Sequence, residues 1–579
     1  MAEAASVRRR LWTFAVSETL RRGWLRYHAS LVYRPRYTGP VPERLLIAPT
    51  DIHTADATLA HDIYAGRFIF AGTAVDASGV PVFAINPPSD AWERELQGFA
   101  WLRHLRASEL KVSKSNARSL VRDWIRQGAR NHPIAFEPEV MARRVLSWLA
   151  QSPLVLDGCD HAFYRRFMRS LTAQVRMLRR IALDAPPGLP RLNIIIAIAA
   201  AAVASPDQER FLRQAGRLLE TELQRQILSD GGHVSRSPGA LLELLADLLP
   251  LRQAYAARGI QPPQGLLTAI DRMMPMIRFF RHGDGALARF NGTCDTPVDL
   301  IATVLAYDDI RGAPVSTATH TGFQRLTGGD TTVLFDTGPP PPIELSDNAH
   351  AGCLSFELSI GRQRLIVNCG AAGMPGSRLR RLSRTTAAHT TATINDASSS
   401  RFLIGTAMAR RFGEVIAEGP SEVKVEYVDD EGVPVVVASH DGYAERFGLI
   451  HERRLKLSDT GHRLDGIDHF RPVTGGRVSR GSGKDAFAIR FHLHPAVAVE
   501  ALEEPGQVIL AFPDGESWQF AADHPVEVEE SIFFSNAMGH RRSQQLVVHG
   551  RPQLRDTATW WLQRVGLSAR LRKEKTEPR

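Results

Sequence analysis

Apolar residues recur at helical spacing through the first half of the chain. Between residues 90 and 311 they return every three or four positions, and residues 91–102 place their aromatic side chains on one helical stripe. Proline and glycine clusters, such as residues 186–188, separate the helical segments. The pattern predicts many antiparallel helices in a toroid or solenoid. No fixed sequence period repeats, which argues against a tetratricopeptide array.

The hydrophobic pattern changes near Gly312. Beyond it, short runs rich in β-branched residues, such as residues 331–335 and 423–428, alternate with turn sequences such as residues 429–432. These runs recur at intervals of roughly eight to fifteen residues, which is typical of a large antiparallel β-sandwich. The second half of the chain is therefore predicted to be a β-sandwich.

The two patterns indicate an α+β multidomain protein, because 579 residues are too many for one compact core. We predict a helical toroid at residues 46–311 and an antiparallel β-sandwich at residues 312–565. A basic segment, residues 1–45, precedes them, and a charged tail, residues 566–579, follows.

Basic residues exceed acidic ones, with 71 Lys and Arg against 62 Asp and Glu and a formal net charge of +9. A basic surface favours an anionic partner such as an acidic polysaccharide, nucleic acid or anionic lipid, or else serves only solubility. No nucleic-acid-binding signature occurs, so nucleic acid is not expected as a partner. The first 35 residues predict either a basic amphipathic helix on a membrane surface or a solvated helix.

The longest apolar run, residues 192–204, contains 13 residues and includes Asn193. It is too short to span a bilayer, so no transmembrane segment is expected. The apolar stretch at residues 11–16 is also too short for a secretory signal. The sequence itself therefore demands no export.

Polar residues are concentrated where three predicted strands begin or end. His350 precedes one strand, Asn368 ends the next, and His389 opens a later one. Neighbouring strand ends bring such side chains together, and two imidazoles with an oxygen donor suit zinc. Two alternatives stay open: a structural zinc ion held by these residues, or a hydrogen-bonded polar cluster that fixes the strand ends.

The runs at residues 347–359, 364–370 and 384–390, with residues 229–238, resemble the heparinase II/III-like polysaccharide lyases. The resemblance implies an (α/α) incomplete toroid followed by a β-sandwich. It also implies β-elimination on an acidic, uronate-containing polysaccharide, in which a base takes the C5 proton and an acid protonates the leaving oxygen. Family members are typically periplasmic; because no convincing signal is present, the cytoplasm is the alternative location.

The sequence departs from the family pattern at positions that should carry chemistry. Asn348 stands where the family has its catalytic histidine, and an amide cannot take a proton near neutral pH. Asn368 stands where the metal-binding members have an aspartate. The tyrosine expected about ten residues after the Asp-Gly turn is missing, since residues 239–241 read Gly-Ala-Leu.

By the resemblance, His233 and Arg236 lie on a loop that faces the family's cleft. We expect His233 to transfer protons, Arg236 or Asn348 to bind the uronate carboxylate, and His350 to organise the floor of the site. For each role the alternative is a structural one, such as capping a helix. The predicted catalytic residues are His233, Arg236, Asn348 and His350, and the predicted substrate-binding residues are Asn193, Arg380 and Arg384.

Two functions follow from these residues. One is a polysaccharide lyase that acts on an acidic polysaccharide by β-elimination. The alternative is a catalytically degenerate relative that binds a glycan and has a role in envelope or capsule polysaccharide.

Overall fold

The computed structural model describes residues 2–30, 32–108, 111–127, 132–206, 209–308, 312–372, 377–430, 432–473, 485–501, 506–535 and 539–567. Residues 568–579 of the predicted charged tail lie outside these ranges. Helices dominate the chain as far as Leu305 and strands from Thr317 onward. The helices of this first part are α1 (Ala2–Ala29), α2 (Ala57–Tyr64), α3 (Asp90–Gly98), α4 (Leu102–Ala107), α5 (Lys111–Gln127), α6 (Pro138–Ala150), α7 (Ser152–Leu156), α8 (His161–Ile181), α9 (Leu189–Ala204), α10 (Glu209–Gln226), α11 (Pro238–Ala257), α12 (Gln264–Phe280) and α13 (Val298–Leu305).

Helix α9 lies at the centre of the toroid. Leu192 and every residue from Ile194 to Ala204 are buried, and the helix contacts α6, α8, α10 and α11. A helix that is apolar on all sides must be covered on all sides. This explains the longest apolar run of the sequence as the core of the helical domain. Within the described residues, no helix combines the length and the apolarity needed to cross a membrane.

The remaining elements form antiparallel sheets. A small hairpin, β1 (Arg67–Phe70) and β2 (Thr73–Asp76), lies within the helical part. The strands of the second part are β3 (Thr317–Ala318), β4 (Phe323–Gly328), β5 (Thr331–Asp336), β6 (Phe356–Ile360), β7 (Gln363–Ile366), β8 (Ala392–Ile394), β9 (Arg401–Phe402), β10 (Ile416–Glu418), β11 (Val423–Asp430), β12 (Val433–His440), β13 (Leu449–Leu457), β14 (Arg463–Pro472), β15 (Phe487–His492), β16 (Ala498–Ala501), β17 (Gln507–Ala511), β18 (Glu516–Ala522), β19 (Val526–Ser535), β20 (Gly539–Gly550) and β21 (Thr557–Leu567). Three short helices join them: α14 (Arg378–Arg384), α15 (Ala407–Phe412) and α16 (Ala444–Phe447).

Three sheets build the sandwich. Their strand orders are β11-β12-β13-β14-β21-β18-β17-β16, β19-β20-β15-β8 and β3-β4-β5-β6-β7. Alternate residues point into a shared apolar core, as in β13, where every second residue from Leu449 to Leu457 is buried. The predicted α+β class, a helical toroid followed by an antiparallel β-sandwich, is confirmed.

Helix α1 contacts both domains. On the helical side, Trp24 Nε1 donates a hydrogen bond to Asp184 Oδ2 at 2.8 Å. On the sandwich side, Phe14 packs edge-on against Phe412 of α15, with ring centroids 6.1 Å apart. The opposite face of α1 leaves apolar side chains in solvent, and Leu20 is 70% exposed. The predicted N-terminal helix therefore has one packed face and one exposed apolar face.

Candidate functional site

A cleft of about 1690 Å³ separates α1, the helical domain and the β-sandwich. This volume exceeds the roughly 300–1,000 Å³ of sites that take small ligands, so it suits an extended one. The charged residues that line it are Arg21, Arg22, Arg26, Asp90, Arg94, Glu137, Glu139, Asp347, Arg380, Arg381, Arg410, Arg411 and Glu414. Arginines outnumber carboxylates here, so the cleft favours an anionic ligand.

Asn348 and Arg380 lie together on the sandwich side of the cleft. One terminal nitrogen of Arg380 donates to Asn348 Oδ1 at 2.5 Å and to the Asp347 carbonyl at 2.9 Å. The same guanidinium is 3.4 Å from the Asp347 carboxylate. Asn348 itself is exposed. Of the predicted site residues, these two are the ones that the structure places among the residues lining the cleft.

Arg384 holds the loop that carries Asn348. The side chain is 2% exposed and donates to the carbonyl groups of Ser346, Ala349 and Glu414 at 2.7–2.8 Å. Burial lowers the pKa of the guanidinium to about 10. Arg384, predicted to contact substrate, therefore shapes the cleft wall from behind and is not among the residues that line it.

The helical wall of the cleft contributes an ion pair and a perturbed carboxyl group. Arg94 Nε donates to Glu137 Oε2 at 2.7 Å. The neighbouring Glu139 is exposed to the cleft. Partial desolvation by the cleft wall and the charge of Glu137 raise the pKa of its carboxyl group. These residues were not predicted from the sequence.

Arg236 lies at the boundary between the two domains. Its φ of 59° is positive, and its side chain is 7% exposed. Each N–H of the guanidinium has an acceptor on the sandwich. These acceptors are Thr321 O (2.7 Å), Gly338 O (3.1 Å), Pro339 O (2.9 Å), Gly322 O (3.0 Å) and Asp336 Oδ1 (2.5 Å). No N–H is left for a substrate carboxylate in this arrangement.

His233 is buried at 1% exposure within the Asp-Gly turn. Its Nδ1 accepts the backbone N–H of Ser235 at 3.1 Å, so Nε2 carries the proton and donates to Gln226 Oε1 at 2.8 Å. Burial lowers the pKa of His233 to about 4. Protonating Nδ1 would place its hydrogen against the backbone N–H of Ser235, which is consistent with the lowered pKa. His233 is not among the residues lining the cleft.

His350 and His389 contact each other, with His350 Nδ1 3.0 Å from His389 Nε2. His389 Nδ1 faces the Thr385 carbonyl at 2.8 Å and must donate to it. His389 Nε2 is therefore an acceptor, and His350 Nδ1 donates. Burial lowers the pKa of His389 to about 4 and that of His350 well below its usual range. The pair is a neutral, hydrogen-bonded unit.

The third predicted metal ligand, Asn368, does not complete a zinc site in this arrangement. Its Oδ1 accepts the backbone N–H of Thr390 at 3.0 Å, and its Nδ2 is buried without a hydrogen-bond partner. The two facing imidazole nitrogens can satisfy each other by a hydrogen bond, and no carboxylate replaces the missing aspartate. The residues fit the alternative, a polar cluster that fixes strand ends, better than they fit a metal ion.

Asn193, predicted to bind the uronate, lies in the first turns of α9, and its Oδ1 is buried without a partner. It is not among the residues lining the cleft. Another asparagine, Asn291, was missed. Its Nδ2 donates to the Arg236 carbonyl and its Oδ1 accepts the His350 N–H, both at 3.2 Å. The Asn-Gly pair at residues 291 and 292 is a turn signal that could have drawn attention to it.

A helical toroid joined to an antiparallel β-sandwich is the fold of the solved heparinase III structures. The model of the family described as heparinase II/III-like, C-terminal, matches residues 310–564. The chain is 31% identical over 544 residues to FtsZ-localized protein C of Caulobacter vibrioides, and the match covers 92% of each chain. The protein belongs to the heparinase II/III-like family.

Solved structures agree with this assignment at the level of the fold. A crystal structure of heparinase III matches with a TM-score of 0.70 and 13% identity, covering 97% of this chain and 92% of that one. Heparan sulfate lyase HepC from Pedobacter heparinus matches with a TM-score of 0.60 and 15% identity, covering 94% and 88%. At these identities the likeness concerns the fold alone.

Proposed function

We propose that this protein is a catalytically degenerate relative that binds an acidic polysaccharide in its cleft, with a role in envelope or capsule polysaccharide. The observation that carries the proposal is the composition of the cleft. Among the described residues that line it there are many arginines but no histidine, tyrosine, lysine or cysteine. Such a cleft attracts an anionic polymer and lacks the histidine and tyrosine that the family's pattern uses for elimination.

The histidines predicted to act in elimination support the same interpretation. A base must expose a lone pair to the C5 proton of the sugar. His233 has both ring nitrogens engaged inside the protein, and His350 and His389 are hydrogen-bonded to each other. Carboxylates remain in the cleft: Glu137 is paired with Arg94 and Glu414 with Arg381, whereas Glu139, whose pKa is raised, is not a residue of the family's catalytic pattern. The lyase hypothesis therefore lacks a base of the family's type among the described residues that line the cleft.

Binding and turnover can be measured on the same sample. Purified full-length protein is titrated with heparin, polygalacturonate and neutral dextran, while ultraviolet absorbance reports any unsaturated product. We expect salt-sensitive binding of the two acidic polymers, none of dextran, and no rise in absorbance. Arg380→Gln should weaken binding, whereas Arg217→Gln, on an exposed face of α10, should not. A rise in absorbance that needs His233 would overturn the proposal in favour of the lyase.

A second candidate function comes from the relative found over nearly the whole chain, which is named for its localisation to FtsZ. The exposed apolar face of α1, with Trp12 at 67% and Leu20 at 70% exposure, is a surface on which a protein could dock. Co-sedimentation with FtsZ from the same source, and imaging of a fluorescent fusion, test this candidate. If Leu20→Ser abolishes both co-sedimentation and co-localisation with FtsZ, the candidate function is supported. If the unaltered protein shows neither, the candidate function is rejected.

The compartment is part of the same proposal. The family resemblance favours the periplasm, and the cytoplasm is the alternative. Fractionation of cells that produce the untagged protein distinguishes the two.

A further inference from the structure

Helix α1 is held in a fixed position beside the cleft. One end is tied to the helical domain by the Trp24–Asp184 hydrogen bond, and Phe14 packs on Phe412 of α15. Between these points, Arg22 donates to the carbonyl of Arg411. Helices α1 and α15 therefore form one continuous wall, and side chains that project from it into the cleft have defined positions.

Most arginines of the cleft are already paired. Arg21 and Arg22 share the nearly buried Glu18, with nitrogen–oxygen distances of 2.8 and 2.7 Å. The other pairs are Arg94 with Glu137, Arg380 with Asp347, and Arg381 with Glu414. Such pairs neutralise charge locally and leave little attraction for a ligand beyond their free N–H groups.

Arg26, Arg410 and Arg411 differ from these residues. All three line the cleft, are exposed, and make no ion pair with any carboxylate in the described part of the chain. Arg26 projects from α1, and the other two project from α15, so the contact between these helices places the three on the same wall. Exposed guanidinium groups that line a cleft without a paired carboxylate are expected to attract an anion.

We propose that the wall built by α1 and α15 is a second anion-binding subsite, in which Arg26, Arg410 and Arg411 bind sulfate or carboxylate groups of the polymer. Guanidinium groups recognise both anions through paired N–H donors. This inference rests on the proposed glycan binding and extends it from the Asn348 side of the cleft to the N-terminal helix.

The test compares two variants with the same charge change. One is the full-length triple variant Arg26→Gln, Arg410→Gln, Arg411→Gln. The control is Arg165→Gln, Arg210→Gln, Arg217→Gln, which removes exposed arginines that do not line the cleft. Affinity for heparin and for polygalacturonate is measured at several salt concentrations, and circular dichroism verifies the fold of both variants.

We expect the first triple variant to bind heparin about tenfold more weakly or worse at low salt, with a shallower dependence on salt, because fewer counterions are exchanged. The control variant should lose much less affinity for heparin. Polygalacturonate, which carries carboxylates but no sulfates, separates the two anion classes: an equal loss for both polymers assigns carboxylate binding, and a loss for heparin alone assigns sulfate.

Two results overturn the subsite and can be told apart. If both triple variants lose the same small amount of affinity while Arg380→Gln weakens binding, the proposed subsite is wrong and the proposed glycan binding stands. If the unaltered protein binds neither polymer, the proposed function fails and the subsite fails with it.

Discussion

Arg236 of the helical domain and Asp336 of the β-sandwich form a buried ion pair at 2.5 Å across the domain boundary. The Asp230 carboxylate accepts the backbone N–H of Thr321 at 2.6 Å, and at another point of the boundary His282 lies 3.1 Å from Glu357. Polar contacts thus fasten the Asp-Gly turn to the sandwich. The segment that carries catalysis in the family's pattern serves here as a joint between domains.

Replacing Arg236 should destabilise the protein strongly. Arg236→Ala leaves Asp336 buried without its cation and several carbonyl groups without donors, which costs about 3–5 kcal/mol. We expect this loss in the free energy of unfolding measured with urea. Arg236→Lys keeps the positive charge but not the planar set of N–H donors, and should lose less stability than Arg236→Ala. An Arg236→Ala protein with unaltered stability but impaired glycan binding would instead support the predicted carboxylate-binding role.

Acidification should destabilise the fold through His233. Its pKa is about 4 in the folded protein, below its usual value of 6.5, so the unfolded chain binds more protons between these pH values. The contribution of His233 to the free energy of unfolding is therefore fully present above about pH 6.5. It falls as the pH drops toward 4, with a loss of about 2 kcal/mol at pH 5.

The variant His233→Asn retains an acceptor near Nδ1 but cannot titrate. Urea unfolding at pH 7 and pH 5 should show a smaller difference for this variant than for the unaltered protein. An identical difference in both proteins would mean that His233 is not a titrating group of the fold.

Asn348→Asp should weaken glycan binding without loss of stability. The substitution changes one side-chain atom and places a carboxylate against Arg380, whose guanidinium already donates to Oδ1 at 2.5 Å. The new charge adds a second carboxylate beside Arg380 and repels a polyanion, so affinity at low salt should fall about tenfold, or about 1.4 kcal/mol. Titration with heparin measures this, and Asn348→Gln is the uncharged control. Equal affinity of the unaltered protein and the two variants would show that Asn348 is not part of the binding site.

The fold could be predicted from the sequence because hydrophobic spacing determines which faces are buried. The strand predicted at residues 331–335 is observed as Thr331–Asp336, and the apolar run at residues 192–204 is the buried part of α9. These features depend on local periodicity, which one sequence displays directly.

The site was harder to predict, because it depends on which side chains face solvent after the domains pack. Arg236 and Arg384 look like ligand-binding arginines in the sequence, yet backbone carbonyls from distant segments take up their N–H groups. Arg26 and Arg410 lie 384 positions apart, and only the docking of α1 on α15 brings their helices together. The Asp-Gly turn and the histidine-bearing strand ends meet through Asn291, but they meet in a packed interface and not at an open cleft.

Removing metal should leave the stability of the protein unchanged. His350 Nδ1 and His389 Nε2 are joined by a hydrogen bond, and Asn368 turns its amide oxygen toward Thr390, so these three atoms have partners within the protein. We expect no stoichiometric zinc in protein purified without chelator, and the same melting temperature before and after dialysis against EDTA. Asn368→Asp restores the aspartate of the family's metal-binding members and is the matched control, because it should acquire zinc if the two histidines can still accept it. Stoichiometric zinc in the unaltered protein, with a melting temperature that falls on chelation and recovers when zinc is added, would instead establish the structural metal.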